Sequence, residues 1–228
     1  MSVKAFKSEF LSDKLGQPMF RVQVVNGDDT VIEKTITSED YLTILGSSLF
    51  TKDQEKYSRI GKLPDKYYDG EVSCQKNTFK VVLYYPGEVR PVCFLNKHWR
   101  VPFPSLVFYF SVKDGTVIKK GVFATRGESI DDDTELFMYP FGNVNASGGI
   151  CFGNIDVGPI RCMEDIASYV EAFFNSETNN DYYNGHKLEW SQAELLERLK
   201  KKKVYPESWL VPTESNCKVV GQLLGKEF

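Results

Sequence analysis

Histidine is nearly missing from this 228-residue chain, which holds only His98 and His186. A zinc site of the Cys-and-His kind would have to recruit distant residues, and a histidine general base has two candidates at most. The five cysteines, Cys74, Cys93, Cys151, Cys162 and Cys217, are odd in number and show no paired short spacing. That pattern argues against a disulfide framework or a cysteine-rich metal centre, so no metal is expected. Neither sign of charge dominates: 28 Lys plus Arg against 31 Asp plus Glu give a net charge of -3 and no electrostatic case for nucleic acid as the main partner. No apolar run approaches the ~20 residues that a membrane span requires. Residues 1–14 mix lysines and acids without the apolar centre of a signal peptide. No membrane association and a cytoplasmic location are therefore expected. A Gly-x-x-x-x-Gly-Lys phosphate loop, internal repeats and low-complexity segments are absent too, and no cofactor is called for.

What is present is a hydrophobic content of 42%, with 14% aromatic residues, in a chain long enough to bury a substantial core. Near the start, Phe20 to Val25 alternates into Asn26-Gly27, and residues 31–37 follow, which predicts a hairpin. Thr37 and Asp40 form a capping box for a helix through Leu42, Ile44 and Leu45. Residues 52–70 show neither period and read as a linker. This divides the chain into a hairpin-and-helix extension, residues 1–62, and a core, residues 63–228. In the core, residues 79–85 and 89–95 flank Pro86-Gly87 and read as one hairpin, while residues 106–112 and 116–124 flank Asp114-Gly115 and read as another. The polar run 126–134, with Asp131-Asp132-Asp133, reads as a solvated loop. Met163, Ile166, Tyr169, Val170, Phe173 and Phe174 recur at helical spacing. Ser191 and Glu194 form a capping box for a last helix, whose end carries lysines 200–203, favourable there for the helix dipole or available to an acidic partner.

The chemistry is concentrated in residues 139–154, Tyr-Pro-Phe-Gly-Asn-Val-Asn-Ala-Ser-Gly-Gly-Ile-Cys-Phe-Gly-Asn. Asn143 stands eight residues before Cys151, with Gly148-Gly149 between them. A cysteine that forms an acyl intermediate needs a donor aimed at the oxyanion and a backbone that lets a bulky acyl group approach. Asn143, Gly148 and Gly149 offer both, although Asn143 can equally serve to hold the loop through backbone hydrogen bonds. Asn145 and Asn154 are weaker candidates for the same work. The other cysteines read as packing residues, Cys93 most firmly. Trp99, Trp190 and Trp209 read as core or interface anchors.

The spacing resembles the signature of ubiquitin-conjugating enzymes, which runs His-Pro-Asn, a short Gly-containing loop, then Ile-Cys. Asn143, Gly148, Ile150 and Cys151 match it, whereas Phe141 and Gly142 stand where that family has His and Pro. Over residues 134–176, including Leu136, Pro140, Gly149, Gly153, Asn154, Phe173, Phe174, Asn175 and Ser176, the chain is similar to the bacterial conjugating-enzyme-like proteins called PRTRC system protein B. The resemblance implies an α+β ubiquitin-conjugating-enzyme-like fold, an antiparallel meander flanked by helices, with the N-terminal hairpin and helix added. It places a proline-containing turn at residues 101–108 and an extra hairpin at roughly residues 112–134. It also implies that Cys151 accepts a ubiquitin-like protein as a thioester from a ThiF-type activating enzyme and passes it to an acceptor amine on a target protein, with Asn143 as the second catalytic residue. Two other classes stay open: a conjugating-fold module that binds a ubiquitin-like protein without carrying it, and a cysteine hydrolase using Cys151 with His98 or His186 as base.

Overall fold

The computed structural model describes residues 3–12, 18–26, 31–49, 62–73, 77–153, 157–183 and 189–225. The chain divides into two compact units, Met1–Lys56 and Tyr57–Phe228.

In the first unit, strands β1 (Val3–Ser12), β2 (Pro18–Asn26) and β3 (Val31–Thr37) form an antiparallel sheet in that order, followed by helix α1 (Ser38–Leu49). The expected hairpin is the β2–β3 pair, with Met19 opposite Thr37 and Val25 opposite Val31; residues 27–30 of its turn lie outside the described residues. The sheet has one strand more than expected, because β1 pairs along nearly all of β2. The apolar residues of β1 are Val3, Ala5, Phe6, Phe10 and Leu11, which keep no strict alternation, so no strand pattern announced it. The Thr37 hydroxyl accepts from the Asp40 amide (3.2 Å) and donates to its carboxylate (3.0 Å), capping α1 as expected. The Phe20 and Tyr41 rings stack 3.9 Å apart, fastening α1 to the sheet.

The second unit is built on a four-stranded antiparallel sheet in the order β4-β5-β8-β9: β4 (Tyr67–Val72), β5 (Phe79–Tyr85), β8 (Ser105–Lys113) and β9 (Thr116–Thr125). Strand β4 corrects the reading of residues 52–70 as linker throughout. The predicted pairing of residues 79–85 with 89–95 is also wrong. After β5 the chain leaves the sheet at Pro86-Gly87 and forms a separate hairpin of β6 (Val89–Phe94) and β7 (Lys97–Pro102), turned at Leu95-Asn96, both with positive φ. It then returns through Phe103-Pro104 to lay β8 against β5. The meander is therefore interrupted after its second strand. The hairpin expected near residues 112–134 is the β8–β9 hairpin itself, turned at Asp114-Gly115, with an irregular loop after it.

Both faces of the four-stranded sheet are covered, so residues 105–112 of β8 are buried without alternation. One face, with Leu83, Phe108, Phe110 and Val122, packs against α2 (Ile166–Asn175) and α3 (Gln192–Leu199). Met163, Ile166, Val170 and Phe173 supply the buried stripe of the α2 region, as their spacing predicts, while Phe174 is only half-buried. Ser191 caps α3, accepting from the Glu194 amide while Glu194 accepts from the Ser191 amide. The opposite face, with Val82, Val107, Tyr109 and Phe123, meets Leu136, Cys217, Val220 and Leu223, the last from the short helix α4 (Gln222–Gly225). Strand β10 (Glu177–Thr178) adds to β6 in parallel, so the second sheet is mixed. The fold class is α+β. No helix among the described residues is long and apolar enough to cross a membrane.

Candidate active site

Residues 139–151 leave the aromatic core and fold back as a small hairpin beside β9. Phe141 is the inner anchor: it is 1% exposed, with its ring 4.7 Å from Phe103 and 5.5 Å from Tyr139. The Tyr139 phenol behind it is held far above its ordinary value by burial. Where the conjugating-enzyme signature has histidine, this chain thus has an aromatic plug.

Gly142 follows at a crossing of backbones. Its N–H donates to Gln192 Oε1 (2.8 Å), and the wholly buried Gln192 donates in turn to Thr178 Oγ1 (3.2 Å). A Cβ at Gly142 would lie 2.0 Å from the Asn179 carbonyl oxygen. Only glycine fits this crossing, which accounts for Gly142 at the position of the signature's proline.

Asn143 has φ 68°, a left-handed conformation that asparagine tolerates better than most residues. Its amide donates to Asp181 O (2.9 Å) and its side-chain Nδ2 to Glu177 O (2.8 Å), while Oδ1 accepts from Asn179 N (3.4 Å). The carboxamide thus fastens the loop to the segment that follows α2; one of its two N–H bonds is committed there.

The two residues singled out by spacing are joined through the backbone. Cys151 N donates to Asn143 O (2.8 Å), next to a bridge between Val144 and Ile150. Asn145 shapes the turn between them: Oδ1 accepts from Ser147 N (3.0 Å) and Gly149 N (2.9 Å). Gly148 has φ +87°, and a Cβ there would enter the Phe123 ring at 2.3 Å, so the turn lies flat on the sheet. Its carbonyl accepts from Val122 N (2.9 Å), and Gly149 bridges Gly121, tying the turn to the outer edge of β9. Cys151 is exposed at the end of this hairpin. A groove of about 560 Å³ runs beside it, between residues 117–121 of β9 and the turn, with Tyr182 at the rim.

The remaining candidates disperse. Cys217 is buried, but Cys93, expected in the core, is only half-buried, as is Cys162. His98 is exposed on β7 opposite Cys93, on the other sheet. Cys74, Asn154 and His186 lie outside the described residues. Trp99 packs at the core boundary, and Trp190 meets Trp209 edge to face at 4.8 Å, both as anchors. Asp131 bonds to Thr134, and no cluster of His, Cys, Asp and Glu suited to a metal occurs among the described residues. Gln192 and Thr178 hold the loop, yet nothing local marked them: Gln192 read simply as the first residue after a helix cap.

The segment that carries this exposed cysteine and the asparagine eight residues earlier falls within a described family. A family model for prokaryotic E2 family D matches residues 47–213. The chain belongs to that family. E2 denotes the ubiquitin-conjugating type, so the function is related to the conjugation of ubiquitin-like proteins, with a ubiquitin-like protein and an activating enzyme as the general partners. The match takes in the whole of the Asn143–Cys151 hairpin, β9 and α3. No curated protein and no solved structure matches the chain.

Proposed function

We propose that this prokaryotic E2 family D protein is a conjugating enzyme on a ubiquitin-conjugating-like core, with Cys151 as the acyl carrier. The observation that carries the reading is the exposed Cys151 at the open end of the hairpin, its backbone N–H held by Asn143 O and its side chain bordering a groove. In the first transfer the Cys151 sulfur attacks the thioester of a ThiF-type activating enzyme. The new C–S bond forms on Cys151 as the old one breaks, and the activating enzyme regains its thiol. In the second, an amine of the target attacks the same carbonyl carbon, an amide forms, and Cys151 leaves as thiolate and recovers a proton. Activation energy is spent upstream, so the chain itself requires no nucleotide.

Asn143 supports both transfers by fixing the backbone on which Cys151 hangs. A mobile nucleophile would lose much of the benefit of orientation. The N–H of its carboxamide not committed to Glu177 is the one available to a developing oxyanion. A cytoplasmic setting fits both partners.

The test is direct. Incubated with a cognate ubiquitin-like protein, its activating enzyme and ATP, the wild type is expected to form a thiol-sensitive adduct that discharges to amines, and Cys151→Ala to form none. An adduct that survives in Cys151→Ala and vanishes in Cys162→Ala would move the site. Failure of the wild type to form any adduct while it still binds the partner would make the protein a binding module, and rapid release of free carboxylate would make it a hydrolase.

A further inference from the structure

Helix α3 ends in a run of cations that neither the core nor the Cys151 loop employs. Arg198 lies in its last turn, Lys200 is its C-cap, and Lys201, Lys202 and Lys203 follow, all five exposed. A helix dipole favours cations only within the last turn, and consecutive like charges repel, so Lys202 and Lys203 gain nothing from the helix. None of the five forms an ion pair among the described residues. The run is nonetheless held in place. Lys200 N donates to Leu196 O (2.9 Å) and Lys202 N to Leu199 O (2.8 Å), between the buried Leu199 and the buried Tyr205. Three of the side chains lie over indoles: Arg198 at 4.3 Å from the Trp190 ring centre, Lys202 at 5.5 Å from Trp209 and Lys200 at 5.9 Å from Trp99. A groove of about 630 Å³ runs along the solvent face of α3, with Glu194 and Glu197 toward its start, Arg198, Lys201 and Lys202 toward its end, and Trp209 as a wall. Glu194 is committed to the helix cap, where it accepts from the Ser191 amide (2.7 Å) and hydroxyl (2.8 Å), which leaves Glu197 against three cations. Val204, directly after the lysines, is 74% exposed, the most exposed large apolar residue among the described ones.

We propose that this groove docks an acidic, extended segment of a partner protein, with its carboxylates on Arg198, Lys201 and Lys202 and an apolar side chain against Trp209. The assignment goes beyond acyl transfer and does not depend on Cys151. At ~1.5 Å per helical residue, the face from Ala193 to Lys202 is about 14 Å long, which about four extended residues span. Cations without partner anions attract carboxylates and repel a basic segment, whereas Glu197 disfavours a carboxylate at the other end, so the order of charges also orients the segment. Nucleic acid suits the surface less well, because base stacking needs open aromatic faces and cations already lie over all three indoles. The whole chain carries a net charge of -3, so the attraction belongs to this groove and not to the molecule's overall field. A partner held here rests on the helix whose first residue, Gln192, accepts from Gly142 N in the loop of Cys151.

The test uses the full chain and fluorescence anisotropy. A dye-labelled hexapeptide with three glutamates beside one leucine is titrated against the same peptide with glutamines in their place. The glutamate peptide is expected to bind about tenfold more tightly at low ionic strength. That preference should shrink at about 0.5 M salt. Exchanging the peptide's leucine for serine should weaken binding about fivefold, through lost contact with Trp209. In the double variant Lys201→Gln/Lys202→Gln the two affinities should converge, with the melting temperature within about 2 °C of wild type. Charge reversal in Lys201→Glu/Lys202→Glu should transfer the preference to a lysine-bearing peptide, whereas Lys66→Gln/Lys113→Gln should keep the wild-type preference. Equal affinities in the wild type, no binding of either peptide, a preference that survives Lys201→Gln/Lys202→Gln, or tighter binding of a short single-stranded oligonucleotide would each overturn the assignment.

Discussion

Replacing Gly142 by alanine should disorganise the loop that carries Cys151, although the same replacement at an ordinary site would be harmless. Gly142 has no positive φ, so alanine suits its backbone, and restricting the unfolded chain alone would stabilise the protein by about 0.4–1 kcal/mol. The surroundings reverse the sign. The new methyl carbon would lie 2.0 Å from Asn179 O and 2.9 Å from both Gln192 Oε1 and Thr178 Oγ1. Relief requires the loop and the segment after α2 to separate by more than ~1 Å, since carbon and oxygen repel steeply inside van der Waals contact. The bonds spanning that gap are Gly142 N to Gln192 Oε1 (2.8 Å), Asn143 N to Asp181 O (2.9 Å) and Asn143 Nδ2 to Glu177 O (2.8 Å). Losing two of them at about 0.5–1.5 kcal/mol each, with ~1–3 kcal/mol of residual overpacking, gives a net loss of roughly 2–5 kcal/mol after the unfolded-state gain is subtracted. For a chain of this size each kcal/mol moves the melting temperature by about 2–4 °C. Calorimetry of wild type and variant should therefore differ by roughly 4–20 °C in the transition of the second unit, with the adduct on Cys151 reduced. A Gly142→Ala protein that melts within about 2 °C of wild type would refute the backbone crossing as drawn.

Gln192→Leu keeps most of the volume but leaves the buried Gly142 N–H without its acceptor, and should cost about 1–3 kcal/mol by denaturant titration; no loss would mean that the bridge is unimportant. Asn143→Ala should lower stability by about 1–2 kcal/mol and reduce loading and discharge of Cys151 together. A selective loss of ~10²–10³ in discharge, with loading and stability kept, would instead assign its carboxamide to the oxyanion. Asp165 accepts from the Arg161 amide (2.7 Å) and the Cys162 amide (3.1 Å), which hold its carboxyl below its ordinary 3.8. A depressed carboxylate contributes stability above the unfolded value and loses it as pH falls through the folded one. Asp165→Asn should therefore melt lower than wild type at neutral pH, with the difference closing below about pH 4; a constant difference would exclude the carboxylate charge as the cause.

Features written in short stretches of sequence formed as the sequence required. Thr37 with Asp40, and Ser191 with Glu194, cap their helices because the partners are only three residues apart and need no tertiary support. Asp114-Gly115 turns a hairpin because both residues adopt positive φ at little cost, and the α2 stripe is buried because its apolar residues share one face. The spacing of Asn143 and Cys151 likewise set a short hairpin, since the seven residues between them can close on themselves and let Cys151 N reach Asn143 O. Competition between distant partners decided the rest. Strand β5 carries apolar residues for two covered faces, so β4 and β8 outbid the nearer β6, and Pro86-Gly87 became an exit from the sheet instead of a hairpin turn. Strands β1 and β4 are defined by hydrogen bonds to β2 and β5 more than by hydrophobic pattern. Gly142 has its significance from Asn179, Gln192 and Thr178, which reach it only after α2, β10 and α3 have packed. A contact across that distance in the chain has no local period or cap to announce it, because its free energy is realised only when the whole core has closed.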